Sequence, residues 1–199
     1  MDKKKEIPFF NFANAISIAR VLLLPVYILI LLYGDIFLKN LAILLCLIIF
    51  FMDFLDGWVA VKFNLKTKIG SHVDVIADRI TELSFWLFFL SLGLVPLWAP
   101  LIVISRGMIT DLIRAQALMK QKGTYDMIKT KTGKLIVSSR AMRGFYGISK
   151  MMLFMFLTAS LTINSQLIHD IISPLIVLVV ITCVLRGIPV INEGWKYLK

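Results

Sequence analysis

Residues 53–78 read DFLDGWVAVKFNLKTKIGSHVDVIAD, and they decide the fold. Asp53 and Asp56 end one apolar run, and Asp74 and Asp78 open the next. Charged side chains at such depth are costly unless they face a cavity, a partner or a metal. Asp53 and Asp56 are three residues apart, and Asp74 and Asp78 are four apart. Each pair therefore shares one face of a helix. Two facing carboxylate pairs repel if left bare. Hard divalent cations relieve that repulsion, and all-oxygen ligation suits Mg²⁺ or Mn²⁺, with room for two ions. Two such ions can clamp a diphosphate during displacement. Gly57 leaves backbone open beside Asp56 for close approach of a phosphate or sugar.

Outward from this stretch the chain is apolar. It has 199 residues, 59% of them hydrophobic, with a mean hydropathy of +0.85. A soluble domain of this length cannot hide so much apolar surface. Apolar runs of about 20 residues recur, the length that crosses a bilayer as helix. The pattern predicts an all-α, polytopic membrane protein with six transmembrane helices near 14–33, 38–61, 74–92, 95–119, 144–164 and 168–190. Residues 1–13 read as an interfacial N-terminal segment rather than a cleaved signal peptide, and 1–199 as one membrane-embedded catalytic domain. Asn14 or Ser17 is expected to cap the first span, Pro25 to kink it, and Gly34–Asp35 and Gly93 with Pro96 to turn the chain. Residues 62–73 are expected to form the loop joining the two acidic helix ends, with His72 on its surface. Residues 120–144 are expected to hold a short interfacial helix or a part of the fifth helix that projects out of the bilayer. Cys46 and Cys183 read as apolar fillers.

The formal net charge is +10. Its distribution argues against nucleic acid, because the lysines cluster between spans. Lys3–Lys5, Lys62, Lys66, Lys68, Lys120, Lys122, Lys129, Lys131, Lys134, Lys196 and Lys199 fall on one side, and Lys39 on the other. By the positive-inside rule that side is cytoplasmic, as are both termini and the four aspartates, in a multi-pass protein of the cell membrane. Anionic membrane lipids are natural partners for such a surface.

The central stretch resembles the signature of the CDP-alcohol phosphatidyltransferases, D-x2-D-G-x2-A-R-x8-G-x3-D-x3-D. Asp53, Asp56, Gly57, Ala60, Gly70, Asp74 and Asp78 match at full spacing, and Val61 stands where the signature has arginine. Lys62 is adjacent, but one residue turns a side chain about 100° around a helix. NAISIARVLLLP resembles the N-terminal pattern of the family in Asn14, Arg20 and Pro25. Arg106, Arg114 and GKLIVSSR from Gly133 resemble phosphatidylglycerophosphate synthases, with departures at Gly107, Val137 and Arg140.

The resemblance implies the six-helix CDP-alcohol phosphotransferase fold, usually a homodimer. The implied reaction moves a phosphatidyl-type group from a CDP-linked lipid donor to an alcohol phosphate and releases CMP. By analogy Asp53, Asp56, Asp74 and Asp78 hold metal, and Asp78 also acts as base on the acceptor hydroxyl. Asp56, Gly57, Ala60 and Gly70 then line the CDP site. Arg106, Arg114, Lys134, Arg140 and Arg143 are expected on the acceptor phosphate, where a planar guanidinium suits phosphate oxygens. The ordinary alternative pairs Asp111 with Arg114 and leaves the others on lipid headgroups. Glycerol 3-phosphate is the expected acceptor, and an inositol phosphate the alternative. An ion or solute transporter that uses the carboxylates is the alternative of another class. A prenyltransferase is a further one, disfavoured by the short separation of the acidic pairs.

Overall fold

A computed structural model of the chain describes residues 12–63, 67–120, 127–163 and 165–198, the side chains of residues 13, 68, 69 and 71 excepted. The expected interfacial segment lies outside the described residues as far as residue 11. Among the described residues there are seven α-helices and no strand: α1 Phe12–Tyr33, α2 Ile36–Lys62, α3 Lys68–Ser91, α4 Trp98–Met119, α5 Lys131–Ser138, α6 Arg140–Ala159 and α7 Gln166–Gly194. A 3₁₀ turn, Trp195–Tyr197, follows α7.

Local chemistry explains the boundaries. Asp35 caps α2, its Oδ1 accepting from the Leu38 N–H at 2.8 Å. Gly34 closes α1 through its N–H to the Ile30 carbonyl at 2.8 Å. A side chain there would collide with that carbonyl and crowd Leu38. Gly93 takes the left-handed conformation, φ 71°, in the turn between α3 and α4. Pro25 lies inside α1 without ending it.

Two expectations need correcting. Asn14 and Ser17 are not caps, because α1 already begins at Phe12 and both side chains are buried within it. The loop between the acidic helices is shorter than 62–73, because α3 begins at Lys68. Thr67 starts it early, accepting the Gly70 N–H at 2.8 Å. Gly70 and His72 are therefore helical, and His72 is exposed on α3.

Among the described residues, three helical stretches are long and apolar enough to cross a membrane: Asn14–Tyr33, Ile36–Lys62 and Gln166–Tyr197, with mean hydropathies of 2.5, 2.3 and 2.5. The chain is a membrane protein on this ground. The helices α3, α4 and α6 are less apolar because they carry Asp74, Asp78, Arg106, Arg114, Arg140 and Arg143. Large apolar side chains such as Leu22, Leu29, Leu44, Phe51 and Phe54 face outward on α1 and α2. In water that surface is a liability, whereas against acyl chains it is the expected exterior.

The chain divides into two compact units, residues 1–89 with 157–164 and residues 90–156 with 165–199. In the first, Tyr27 of α1 packs against Phe85 of α3, ring centroids 5.0 Å apart, and Phe50 of α2 meets the same ring at 5.3 Å. The Tyr27 hydroxyl shares a 2.6 Å hydrogen bond with Thr158, so its buried polar end is satisfied. Trp86 is fully buried in packing. Cys46 is buried too, as expected of a filler, and so is Cys183 of the second unit. In the second unit α4 and α7 lie together, and Ile113, Ala117, Met127, Ile128, Val137 and Val190 form a buried cluster. Gly194 admits Ile113 where a Cβ would collide with it.

Candidate active site

Helix geometry turns Asp53 and Asp56 to one face of α2 and Asp74 and Asp78 to one face of α3. The first unit brings three of these carboxylates together. Asp53, Asp56 and Asp74 each offer an oxygen, and the three oxygens lie within 4.8 Å of one another. Asp78 is not in that group, although it shares a cation with it. Asp56 is buried, whereas the side chains of Asp53, Asp74 and Asp78 are 42%, 51% and 54% exposed. The site therefore has a fixed floor and an open rim.

That floor is furnished from α1. Asn14, Ser17 and Arg20 recur every three residues on one stripe of an apolar helix, and all three are buried. The Ser17 hydroxyl donates to Asp56 Oδ2 at 2.7 Å. The Arg20 guanidinium, 1% exposed, touches Asp53 through Nη1. The same nitrogen lies 3.4 Å from Asp78 Oδ1, and Nη2 lies 4.0 Å from Asp74 Oδ1. One guanidinium thus ties carboxylates of two other helices to α1. A single cation cannot balance four carboxylates at this spacing. The donor set is all oxygen, and its surplus negative charge fits hard divalent ions.

Arg20 matched the N-terminal family pattern, but local sequence reading gave it no place at the acidic cluster. The intramembrane arginine was itself the available signal. Arg20→Gln is expected to lower the melting temperature of the purified protein, and added Mg²⁺ to recover more stability in the variant than in the parent. Its partners are half-exposed, so the loss should stay below the roughly 3–5 kcal/mol of a fully buried broken pair. A thermal melt with and without Mg²⁺ checks this; an unchanged melt would remove Arg20 from the site's electrostatics.

The signature glycines differ in surroundings. A Cβ at Gly57 would meet nothing within 4 Å, so the backbone beside Asp56 is open. At Gly70 it would lie 2.7 Å from Asn14 Oδ1 and 2.8 Å from Thr67 Oγ1. Gly70 thus lets the first turn of α3 sit against α1. Ala60 is half-buried on α2. Val61 is exposed, and the ammonium of Lys62 lies over the Trp58 ring at 4.3 Å. Among the described residues, a cation from α1, Arg20, touches the acidic cluster, whereas Lys62 lies over Trp58. Arg79 pairs with the buried Glu82 at 2.6 Å.

The expected acceptor residues belong to the second unit. Arg106 of α4 lies against α7 where Gly187 leaves space; a Cβ there would come within 2.8 Å of Arg106 Cγ and Nε. Its Nε is buried with no hydrogen-bond partner among the described residues. Arg114 pairs with Asp111 at 3.8 Å, as the ordinary alternative holds. Lys134 is exposed on α5, and Arg140 and Arg143 are exposed on the first turn of α6. Arg186 of α7, which sequence reading passed over, lies over the Tyr146 ring at 5.2 Å, and Lys150 over the same ring at 4.8 Å. An arginine inside so apolar a helix was the signal for it.

A family model described as CDP-alcohol phosphatidyltransferase matches residues 10–185. The chain is 32% identical over 109 residues to a Bacillus subtilis protein named CDP-diacylglycerol--glycerol-3-phosphate 3-phosphatidyltransferase, covering 49% of this chain and 56% of that one. A Rickettsia typhi protein of the same name is 37% identical over 70 residues, 35% of this chain and 39% of its own. A Mycobacterium tuberculosis (strain H37Rv) protein named probable phosphatidylglycerophosphate synthase is 27% identical over 114 residues, 55% of this chain and 54% of its own. The matched stretches therefore cover less than two thirds of these relatives.

Proposed function

The chain belongs to the CDP-alcohol phosphatidyltransferase family, and from that premise we propose that it transfers the phosphatidyl group of a CDP-linked lipid to glycerol 3-phosphate, releasing CMP. The observation that carries this reading is the meeting of Asp53, Asp56 and Asp74 oxygens within 4.8 Å on helices α2 and α3. The names of the relatives support glycerol 3-phosphate over other acceptors. The whole chain acts as one catalytic domain of a homodimer, with six crossings and the aspartates on the cytoplasmic side.

Asp53, Asp56 and Asp74 would hold Mg²⁺ or Mn²⁺, with Asp78 sharing a second ion. When bound, such ions neutralise charge on the donor diphosphate and on the departing CMP. Asp78 takes the proton of the acceptor hydroxyl, whose pKa is otherwise too high for attack. The hydroxyl oxygen bonds to the lipid-side phosphorus, and the bond from that phosphorus to the CMP oxygen breaks. Asp56, Gly57, Ala60 and Gly70 line the CDP group, with Gly57 leaving the open approach. Arg106, Arg114, Lys134, Arg140 and Arg143 hold the acceptor phosphate. A direct displacement of this kind needs no covalent enzyme intermediate.

CMP release from CDP-diacylglycerol, compared across glycerol 3-phosphate, inositol 1-phosphate and serine, tests the acceptor. Glycerol 3-phosphate is expected to be fastest, and Arg140→Ala to raise its KM. Faster turnover of inositol 1-phosphate would reassign the acceptor. Solute flux into vesicles with no CMP from any acceptor would favour the transporter.

A further inference from the structure

We infer that Glu193 is a positioning residue that holds the acceptor-binding segment 129–134 in register through Thr130. The inference rests on the acceptor reading above, because the segment carries Lys134. Glu193 lies near the end of α7, beyond the residues that the family model matches.

Its carboxylate makes three contacts with a segment more than 60 positions earlier. One oxygen, Oε2, accepts from the backbone N–H of Lys129 at 2.5 Å and of Thr130 at 3.2 Å. The other, Oε1, accepts from the Thr130 hydroxyl. The same hydroxyl oxygen accepts from the Gly133 N–H at 3.3 Å and so caps α5. The two bonds are compatible: the hydroxyl gives its one proton to Glu193 and keeps lone pairs for the Gly133 N–H. Glu193 therefore holds the side chain that caps α5 as well as the stretch of chain before it.

Gly133 is what makes the approach possible. A Cβ there would lie 2.6 Å from Thr130 Oγ1 and 2.9 Å from Glu193 Oε1. The residues just before the latch, Met127 and Ile128, are buried in the core cluster with Val137. The segment is thus held by apolar packing at 127, 128 and 137 and by one carboxylate at 129 and 130. Lys134 projects from the turn that the carboxylate fixes.

Leucine at 193 keeps the approximate size but offers no acceptor. The Lys129 and Thr130 N–H groups and the Thr130 hydroxyl then all lose the carboxylate. Glu193→Leu is expected to raise the KM for glycerol 3-phosphate by about tenfold or more, the scale of a displaced positioning group. The kcat at saturating acceptor and the KM for the CDP-lipid should stay where they are. Thr130→Val should reproduce the effect, Thr130→Ser should not, and the double variant Glu193→Leu/Thr130→Val should be no worse than the worse of the single changes. Hydrogen exchange at the amides of Lys129, Thr130 and Gly133 should quicken in both damaged variants.

An unchanged acceptor KM in both variants despite faster exchange overturns the inference. So does a fall of kcat and of thermal stability with the KM for both substrates raised, which would mean a scaffold role alone. Failure of the unaltered enzyme to use glycerol 3-phosphate is a separate result: it overturns the acceptor reading, and the exchange data still report whether the latch exists.

Discussion

Asp78→Asn is expected to lower turnover by about a thousandfold while the protein stays folded and still binds Mn²⁺, within the usual range for loss of a general base. The reasons are geometric. Asp78 is the one signature aspartate whose oxygen stands outside the cluster formed by Asp53, Asp56 and Asp74. Its side chain is more than half exposed, so it can meet a substrate hydroxyl. It lies 3.4 Å from Arg20, close enough for the guanidinium to steady the carboxylate. Asparagine preserves shape and hydrogen bonding but cannot take a proton. Steady-state CMP release, read beside Mn²⁺ binding by electron paramagnetic resonance, separates the two roles. Near-normal turnover would remove Asp78 as base. Loss of Mn²⁺ binding together with turnover would make it mainly a ligand.

Asp56→Ala is expected to cost at least about a hundredfold in Mn²⁺ affinity, because even residues that only support a ligand commonly cost 10–100-fold when removed. Asp56 is the buried member of the trio, and the Ser17 hydroxyl orients it. Ser17→Ala, which leaves the carboxylate but frees it to turn, should therefore cost about tenfold on the same scale. The order of the two effects is the informative part. Equal losses would mean that Ser17 is doing more than orienting Asp56, and no loss in either would move the metal away from α2.

Much of this site was legible before any coordinates. The three- and four-residue spacing of the aspartates fixed their faces, and the match at Gly57, Ala60 and Gly70 fixed the family. Helix ends marked by Gly34, Asp35 and Gly93 fell where turn chemistry put them. The early start of α3 was missed because Thr67 caps it from inside a basic stretch that reads as loop. The contribution of α1 was missed for a different reason. Arg20 and Ser17 meet aspartates 33 to 58 positions away, and pairings at that range leave no local trace. What remained readable was a polar stripe, Asn14, Ser17 and Arg20, in a helix that otherwise needs none. Assigning Asn14 and Ser17 to capping used up that signal. Glu193 is harder still, since a carboxylate at the polar end of an apolar helix is ordinary, and only its contacts with residues 129 and 130 distinguish it.

The most direct test of the central claim is product formation by the purified, lipid-reconstituted protein supplied with CDP-diacylglycerol and glycerol 3-phosphate, with Mg²⁺ present and then chelated. The expected result is CMP and phosphatidylglycerophosphate in equal amounts with Mg²⁺, neither when the ion is removed, and recovery when it is restored. Undiminished CMP release in excess chelator would contradict a metal site at Asp53, Asp56 and Asp74.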